Sequence, residues 1–225
     1  MQDLKRDLSI LTNDYVWLRT HFSLFHSLFG PKRERIDLMN KASSFFFVQV
    51  QEALIATIIT GIFRVAGSQV SGRGPTARKN LVLSLLLDTS IYGEWSGREG
   101  FEIEVNKVKE TLRPLKEIRH KSIAHRDLEI ARGEIVSQNP EFGEIREAVE
   151  AMGAAIQVAQ AKINNTTYVL EPVGPIEDEL HVLDLIRIGI EISEKENEAE
   201  FEAAKEGNHN YERCYSERPD WLFDD

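Results

Sequence analysis

Cysteine is all but missing from this chain. Cys214 stands alone, so no intramolecular disulfide can staple the fold. Long hydrophobic runs are missing too. The most apolar stretch, Ala53 to Phe63, is too short to span a bilayer and is flanked by Gln49, Gln51, Glu52 and Arg64. No signal-like segment opens the sequence. These absences together lead us to expect a protein of the reducing cytoplasm that does not enter membranes.

Several catalytic signatures are also lacking. Gly67, Gly72 and Gly74 do not have the spacing of a phosphate-cradling loop, and Lys79 is not framed as its lysine. Ser122, His125 and Asp127 supply the letters of a hydrolase triad, but the G-x-S-x-G elbow is absent. His21 and His26 are five residues apart, as are His120 and His125. Five residues turn a helix by about 500°, so neither pair shares a face as a two-histidine metal site requires. We therefore expect no metal and no cofactor.

What is present fits a soluble globular protein. The 225 residues suffice for a buried core, and 42% apolar with 28% charged residues argues against disorder. The net charge of −10 is unevenly spread. Residues 177–225 hold 16 acids and five bases, a net of −11, which leaves +1 for residues 1–176. Ala53 to Leu87 contains no acid but carries Arg64, Arg73, Arg78 and Lys79. Leu112 to Arg126 sets Arg113, Lys116, Arg119, Lys121 and Arg126 against Glu117 alone. The body can thus present basic surface to a polyanion despite the acidic total.

Helical periodicity dominates the pattern. Leu4, Leu8, Leu11, Tyr15, Leu18, Phe22, Phe25 and Phe29 alternate steps of four and three, one face of a long helix that Gly30-Pro31 ends. A second helix is expected from about 36 to 66; its Phe45-Phe46-Phe47 run reads as buried helix rather than strand. A loop follows at 67–75, then a short buried helix at 80–88 and another loop at 92–100. A third long helix covers about 101–124, with Leu112, Leu115 and Ile118 on its apolar face and a kink or break at Pro114. A fourth is expected at about 141–163, with Phe142, Ile145, Val149, Met152, Ile156 and Ala159 on one side. After a short extended piece at 168–170, a fifth runs from about 176 to 205 and ends as an acidic arm. The expected fold is all-α: an antiparallel helical bundle over residues 1–175 with long N-terminal helices, and a C-terminal helix and acidic tail over 176–225.

The segment "LKEIRHKSIAHRD", Leu115 to Asp127, concentrates the reactive groups. Metal-free RNA cleavage needs a base for the ribose 2′-hydroxyl, an acid for the departing 5′-oxygen, and a fixed cation for the charge gathering on the phosphoryl oxygens. Histidine suits the proton transfers, because its ordinary pKa is about 6.5. Arginine suits the oxyanion, because its planar fork stays charged. His125 and Arg119 are the candidates. Six residues apart, they diverge by about 120° on a continuous helix. They converge only if the helix bends or ends between them, or if a second copy completes the site across a two-fold axis.

"RHKSIAH", Arg119 to His125, resembles the motif of the HEPN superfamily: arginine, then a polar residue, a spacer of four to six, then histidine. "YVWLRTHFSLF", "FFFVQVQEALIATIITGIFRVAG", "KNLVLSLLLD" and "LRPLKEIRHKSIAHRD" appear in an order similar to the abortive-infection HEPN-like proteins of the Abi-U type, over roughly residues 10 to 190. The resemblance implies a helical bundle, a homodimer, and metal-independent endoribonuclease activity in phage defence or toxin-like growth arrest. It makes Arg119 and His125 catalytic and His120 their polar companion. Asp127 either orients His125 or caps the next turn, and Lys116, Lys121 and Arg126 would contact RNA. In a related toxin group a tyrosine follows the histidine by two residues and is modified by a partner enzyme. Asp127 holds that position here, so that regulation is not expected.

Many superfamily members bind without cutting. The alternative expectation is therefore a non-catalytic helical module that holds RNA, a nucleotide or a regulatory protein partner, with the acidic tail masking the basic cleft or binding a basic partner.

Overall fold

The structure is a computed structural model that describes residues 1–119, 140–167, 170 and 178–207. Among the described residues it is mostly helical. The helices are α1 (Gln2–Phe29), α2 (Arg33–Ala66), α3 (Thr89–Tyr92), α4 (Arg98–Ile118), α5 (Phe142–Ile163) and α6 (Asp178–Lys205). One antiparallel hairpin joins β1 (Val70–Ser71) to β2 (Arg78–Lys79), with Val70 opposite Lys79 and Ser71 opposite Arg78. The described residues fall into two compact units. The first draws on Met1–Gly30 and Val48–Pro175, the second on Pro31–Phe47 and Ile176–Asp225.

The first unit is built on the apolar face of α1. Leu4, Leu8, Leu11, Tyr15, Leu18 and Phe25 are buried, in the four-three rhythm expected of a packing helix. The helix stops where glycine was expected to stop it: the Gly30 N–H donates to the His26 carbonyl at 2.9 Å. α1 packs on α5, whose buried side includes Ile145, Val149, Met152, Ile156 and Ala159. Phe142 begins α5 and stacks on Phe22 and His26 of α1, with ring centroids 5.3 and 5.0 Å apart. A capping box starts the helix, with the Glu141 N–H donating to Glu144 Oε2 at 3.0 Å.

Two contacts fix the register of α1 on α5. The Tyr15 hydroxyl lies against Gly153, where a side chain would collide with it. A buried polar chain runs alongside. Thr12 Oγ1 donates to the Leu8 carbonyl at 2.8 Å and accepts from Gln160 Nε2 at 2.8 Å, while Gln160 Oε1 accepts from Asn164 Nδ2 at 2.6 Å. Among the described residues no buried side-chain nitrogen or oxygen lacks a partner, so this network is satisfied where it would otherwise be costly.

α4 packs on α5 as well, and it does so with one stripe. Phe101, Val105, Val108, Leu112 and Leu115 are buried at steps of four, three, four and three. Pro114 does not break this helix, which is continuous from Arg98 to Ile118. Pro114 and Glu110 are both exposed, so water can reach the side of the helix where the proline leaves a carbonyl unpaired.

The segment between α2 and α4 differs from the expectation of loop, short helix and loop. The hairpin occupies part of the first loop, and Leu83–Leu87 forms a 3₁₀ helix rather than an α-helix. Leu83, Leu85 and Leu86 are buried, so the expected short buried helix is present in a shorter, 3₁₀ form. Trp95 Nε1 donates to the Leu86 carbonyl at 3.1 Å, and Arg98 Nη2 to that of Leu87 at 3.3 Å, which serves carbonyls the tight helix leaves open. The Tyr92 hydroxyl donates to Asp7 Oδ2 at 2.7 Å, and burial, with the Asp7 carboxylate, pushes its phenol above the ordinary tyrosine range.

α2 contributes to both units; the Phe45-Phe46-Phe47 run is helical as expected but not buried, since Phe45 and Phe46 are exposed and Phe47 is only partly covered. Its helical path is interrupted at Ser43, whose backbone is extended (φ −170°, ψ 90°). By length and composition α2 could cross a membrane, although the shorter stretch 53–63 taken alone could not. In the first unit Ile58, Ile59, Ile62 and Val65 on it are buried, and Gly61 lies against Leu18 of α1. In the second unit Met39 and Leu183 are buried and Lys41 pairs with Glu194.

The Tyr15–Gly153 contact is directly testable. Gly153→Ala should destabilise the protein by about 1–3 kcal/mol in urea unfolding, through overpacking. Adding Tyr15→Phe, which removes the colliding oxygen, should recover part of that loss. Equal stability of Gly153→Ala and wild type would show that α1 and α5 do not approach this closely.

Candidate functional site

The stripe on α4 determines where Arg119 sits. Continuing the rhythm of 101, 105, 108, 112 and 115 by four more residues gives 119, so an arginine takes the next core-facing position. Its backbone keeps helical angles (φ −55°, ψ −47°), and its N–H donates to the carbonyls of Leu115 and Lys116. The side chain is accordingly half-buried, whereas Lys116 and Glu117 on the same turn are exposed.

The guanidinium lies over an aromatic ring. Arg119 Cζ is 4.8 Å from the centroid of Phe63, near the end of α2. Such a contact holds the planar fork flat without using up its N–H donors, which point outward from the edge of the plane. This arrangement suits an arginine that must receive a phosphate. A lysine would not reproduce it, since its ammonium has no flat face to stack.

Arg119 and Phe63 also line a cleft of about 510 Å³. Its other charged residues among those described are Arg64, which follows Phe63 on α2, and Lys79 on β2. Among the described residues no carboxylate lines it. Asp88 faces one of these cations, with its Oδ2 3.4 Å from Lys79 Nζ. The Ser90 hydroxyl, above all, holds the Asp88 carboxyl below the ordinary carboxylate range, with Lys79 adding to the effect. Asp88 therefore stays ionised at neutral pH and offsets part of the Lys79 charge.

The hairpin wall is held by Asn80. Its Nδ2 donates to the Ser68 carbonyl at 2.9 Å, its Oδ1 accepts from Ser71 Oγ at 3.1 Å, and its N–H donates to the Gln69 carbonyl at 2.8 Å. The tip of the hairpin turns at Gly72 and Gly74, both with positive φ (81° and 57°), a region where larger residues are strained. Local hydrogen bonds and glycine geometry thus set Lys79 and Ser71 on the cleft wall.

Of the residues selected from the sequence, Arg119 and Lys116 lie within the described residues, and only Arg119 lines the cleft. His120, Lys121, His125, Arg126 and Asp127 lie outside the described residues. No cluster of three or more metal-binding side chains occurs among the described residues. The cleft adds Phe63, Arg64 and Lys79, which were not selected as site residues. The acid-free run from Ala53 to Leu87 marks Arg64 and Lys79 as basic, but nothing in the sequence places them or Phe63 beside Arg119.

An arginine placed on a core stripe for function should not be there for stability. Arg119→Met should leave the urea midpoint unchanged or raise it. Leu115→Ala, one turn earlier on the same stripe, should cost about 2–5 kcal/mol. A loss of comparable size in Arg119→Met would make Arg119 a structural residue.

No protein-family model matches this chain, and neither a curated protein nor a solved structure matches it, so the chemistry of the site rests on its own residues and on the resemblance of its motif.

Proposed function

We propose that the chain is a HEPN-type, metal-independent endoribonuclease of the cytoplasm, acting in phage defence or toxin-like growth arrest. The observation that carries this reading is the placement of Arg119: a half-buried guanidinium over the Phe63 ring, in a cleft whose charged lining among the described residues is otherwise Arg64 and Lys79. Arg119 stabilises the negative charge that builds on the phosphoryl oxygens as the 2′-hydroxyl attacks. His125 takes the proton from that hydroxyl and returns one to the departing 5′-oxygen. The products are a 2′,3′-cyclic phosphate and a free 5′-hydroxyl, so no water or metal enters the cleavage step. His120 and Asp127 support the pair, and Lys116, Lys121 and Arg126 hold the RNA backbone.

The reading carries a homodimer with it, since Arg119 and His125 diverge by about 120° on a continuous helix and a second copy would complete each site. A second reading, a non-catalytic module for RNA, a nucleotide or a regulatory protein, draws on the net −11 of residues 177–225, which suits a basic partner or the cleft itself.

Labelled RNAs incubated with the purified protein in EDTA test the reading. Wild type should cut, Arg119→Ala should be slower by about 10²–10³-fold and His125→Ala by about 10²–10⁴-fold. Arg119→Lys should not restore the rate. No cleavage of any RNA, or equal rates in the variants, would leave the binding module as the better account.

A further inference from the structure

The proposed chemistry uses Arg119 but leaves the rest of the cleft unexplained. That remainder is a built surface. Arg64 extends from α2 and Lys79 from the hairpin, and they line one cleft with Arg119 although they lie far apart in sequence. Between them the lining is part polar, with Ser71 and Asn80, and part apolar, with Val70 and Leu81. A volume of about 510 Å³ is ample for one nucleotide.

We propose that this hairpin-walled cleft is a subsite for the nucleotide next to the scissile phosphate, with Arg64 and Lys79 holding that nucleotide's own phosphate. This rests on the nuclease reading above, because it takes Arg119 to hold the reacting phosphate. The chemistry recognised is a phosphate ester attached to a nucleoside. Cations on two walls grip the ester, and the apolar patch accepts the flat base. The cleft wall is rigid where it matters, because Asn80 bonds to Ser68, Gln69 and Ser71. Lys79 is free to turn to the ligand, since its contact with Asp88 at 3.4 Å is between side chains that both reach solvent and contributes little.

Asp88 provides a sharp test, because it caps α3 through the Ser90 N–H at 3.0 Å and also opposes Lys79. Asparagine caps equally well but carries no charge. Asp88→Asn should therefore keep the fold and tighten binding, while Arg64→Ala and Lys79→Ala should weaken it.

The experiment measures fluorescence anisotropy of a labelled 2′-O-methyl RNA, which cannot be cut, over a range of salt. Thermal unfolding of every variant confirms the fold. Arg64→Ala and Lys79→Ala should each weaken binding by about tenfold and flatten the slope of log K against log[salt] by about 0.7. Lys79→Arg should restore both, Asp88→Asn should tighten binding several-fold, and Lys107→Ala, outside the cleft, should change nothing. Unchanged affinity and slope in Arg64→Ala and Lys79→Ala, in a protein that still cuts RNA, would overturn the subsite and leave the nuclease reading intact. Failure of wild type both to bind and to cut RNA would overturn both. Binding of 5′-AMP that is lost in those two variants, without binding of RNA, would keep the cleft as a nucleotide site and reject its place beside a scissile phosphate.

Discussion

Five apolar side chains on α4, from Phe101 to Leu115, are buried, chiefly where α4 packs on α5, with Trp95 against Phe101. Almost everything else follows from that burial. It fixes the rotation of α4 about its own axis, and the rotation fixes which way position 119 faces. α5 is held in turn by α1, through Tyr15 against Gly153 and through the Thr12–Gln160 hydrogen bond. The packing that stabilises the first unit is therefore also what presents a guanidinium at the end of a core stripe.

A charge on such a stripe is costly unless something compensates for it. Phe63 supplies part of the compensation, and the half-open cleft supplies the rest by leaving the fork in reach of water or a ligand. An arginine in this state is partly desolvated by Phe63 and positioned before any ligand arrives. These are the conditions under which a fixed cation contributes most to a phosphoryl transfer, because little rearrangement is needed as charge develops.

Much of the fold could be read from residue spacing. The α1 stripe, its stop at Gly30, the helical state of Phe45-Phe46-Phe47 and the buried side of α5 all follow from side chains repeating every three or four positions. The hairpin could not be read, because each strand has two residues and offers no alternation to detect. The 3₁₀ helix at Leu83–Leu87 was read only as buried helix, since a five-residue apolar run does not reveal its hydrogen-bonding pattern. Pro114 does not break its helix, because a proline on an exposed face can be carried by a helix whose other face is well packed. For the site, Arg119 was legible from its motif. Its companions Phe63, Arg64 and Lys79 were not, because tertiary packing rather than spacing brings them to it.

The central claim is that the Arg119 guanidinium receives phosphate, and NMR of the arginine side chains tests it most directly. The Nε–Hε signal of Arg119, assigned by its loss in Arg119→Lys, is followed as an uncleavable 2′-O-methyl RNA dinucleotide is added. The account predicts a saturable shift of this signal and none for Arg187, whose fork is held by Asp184 and Glu191. An Arg119 signal that stays fixed while the RNA binds elsewhere on the protein would contradict it.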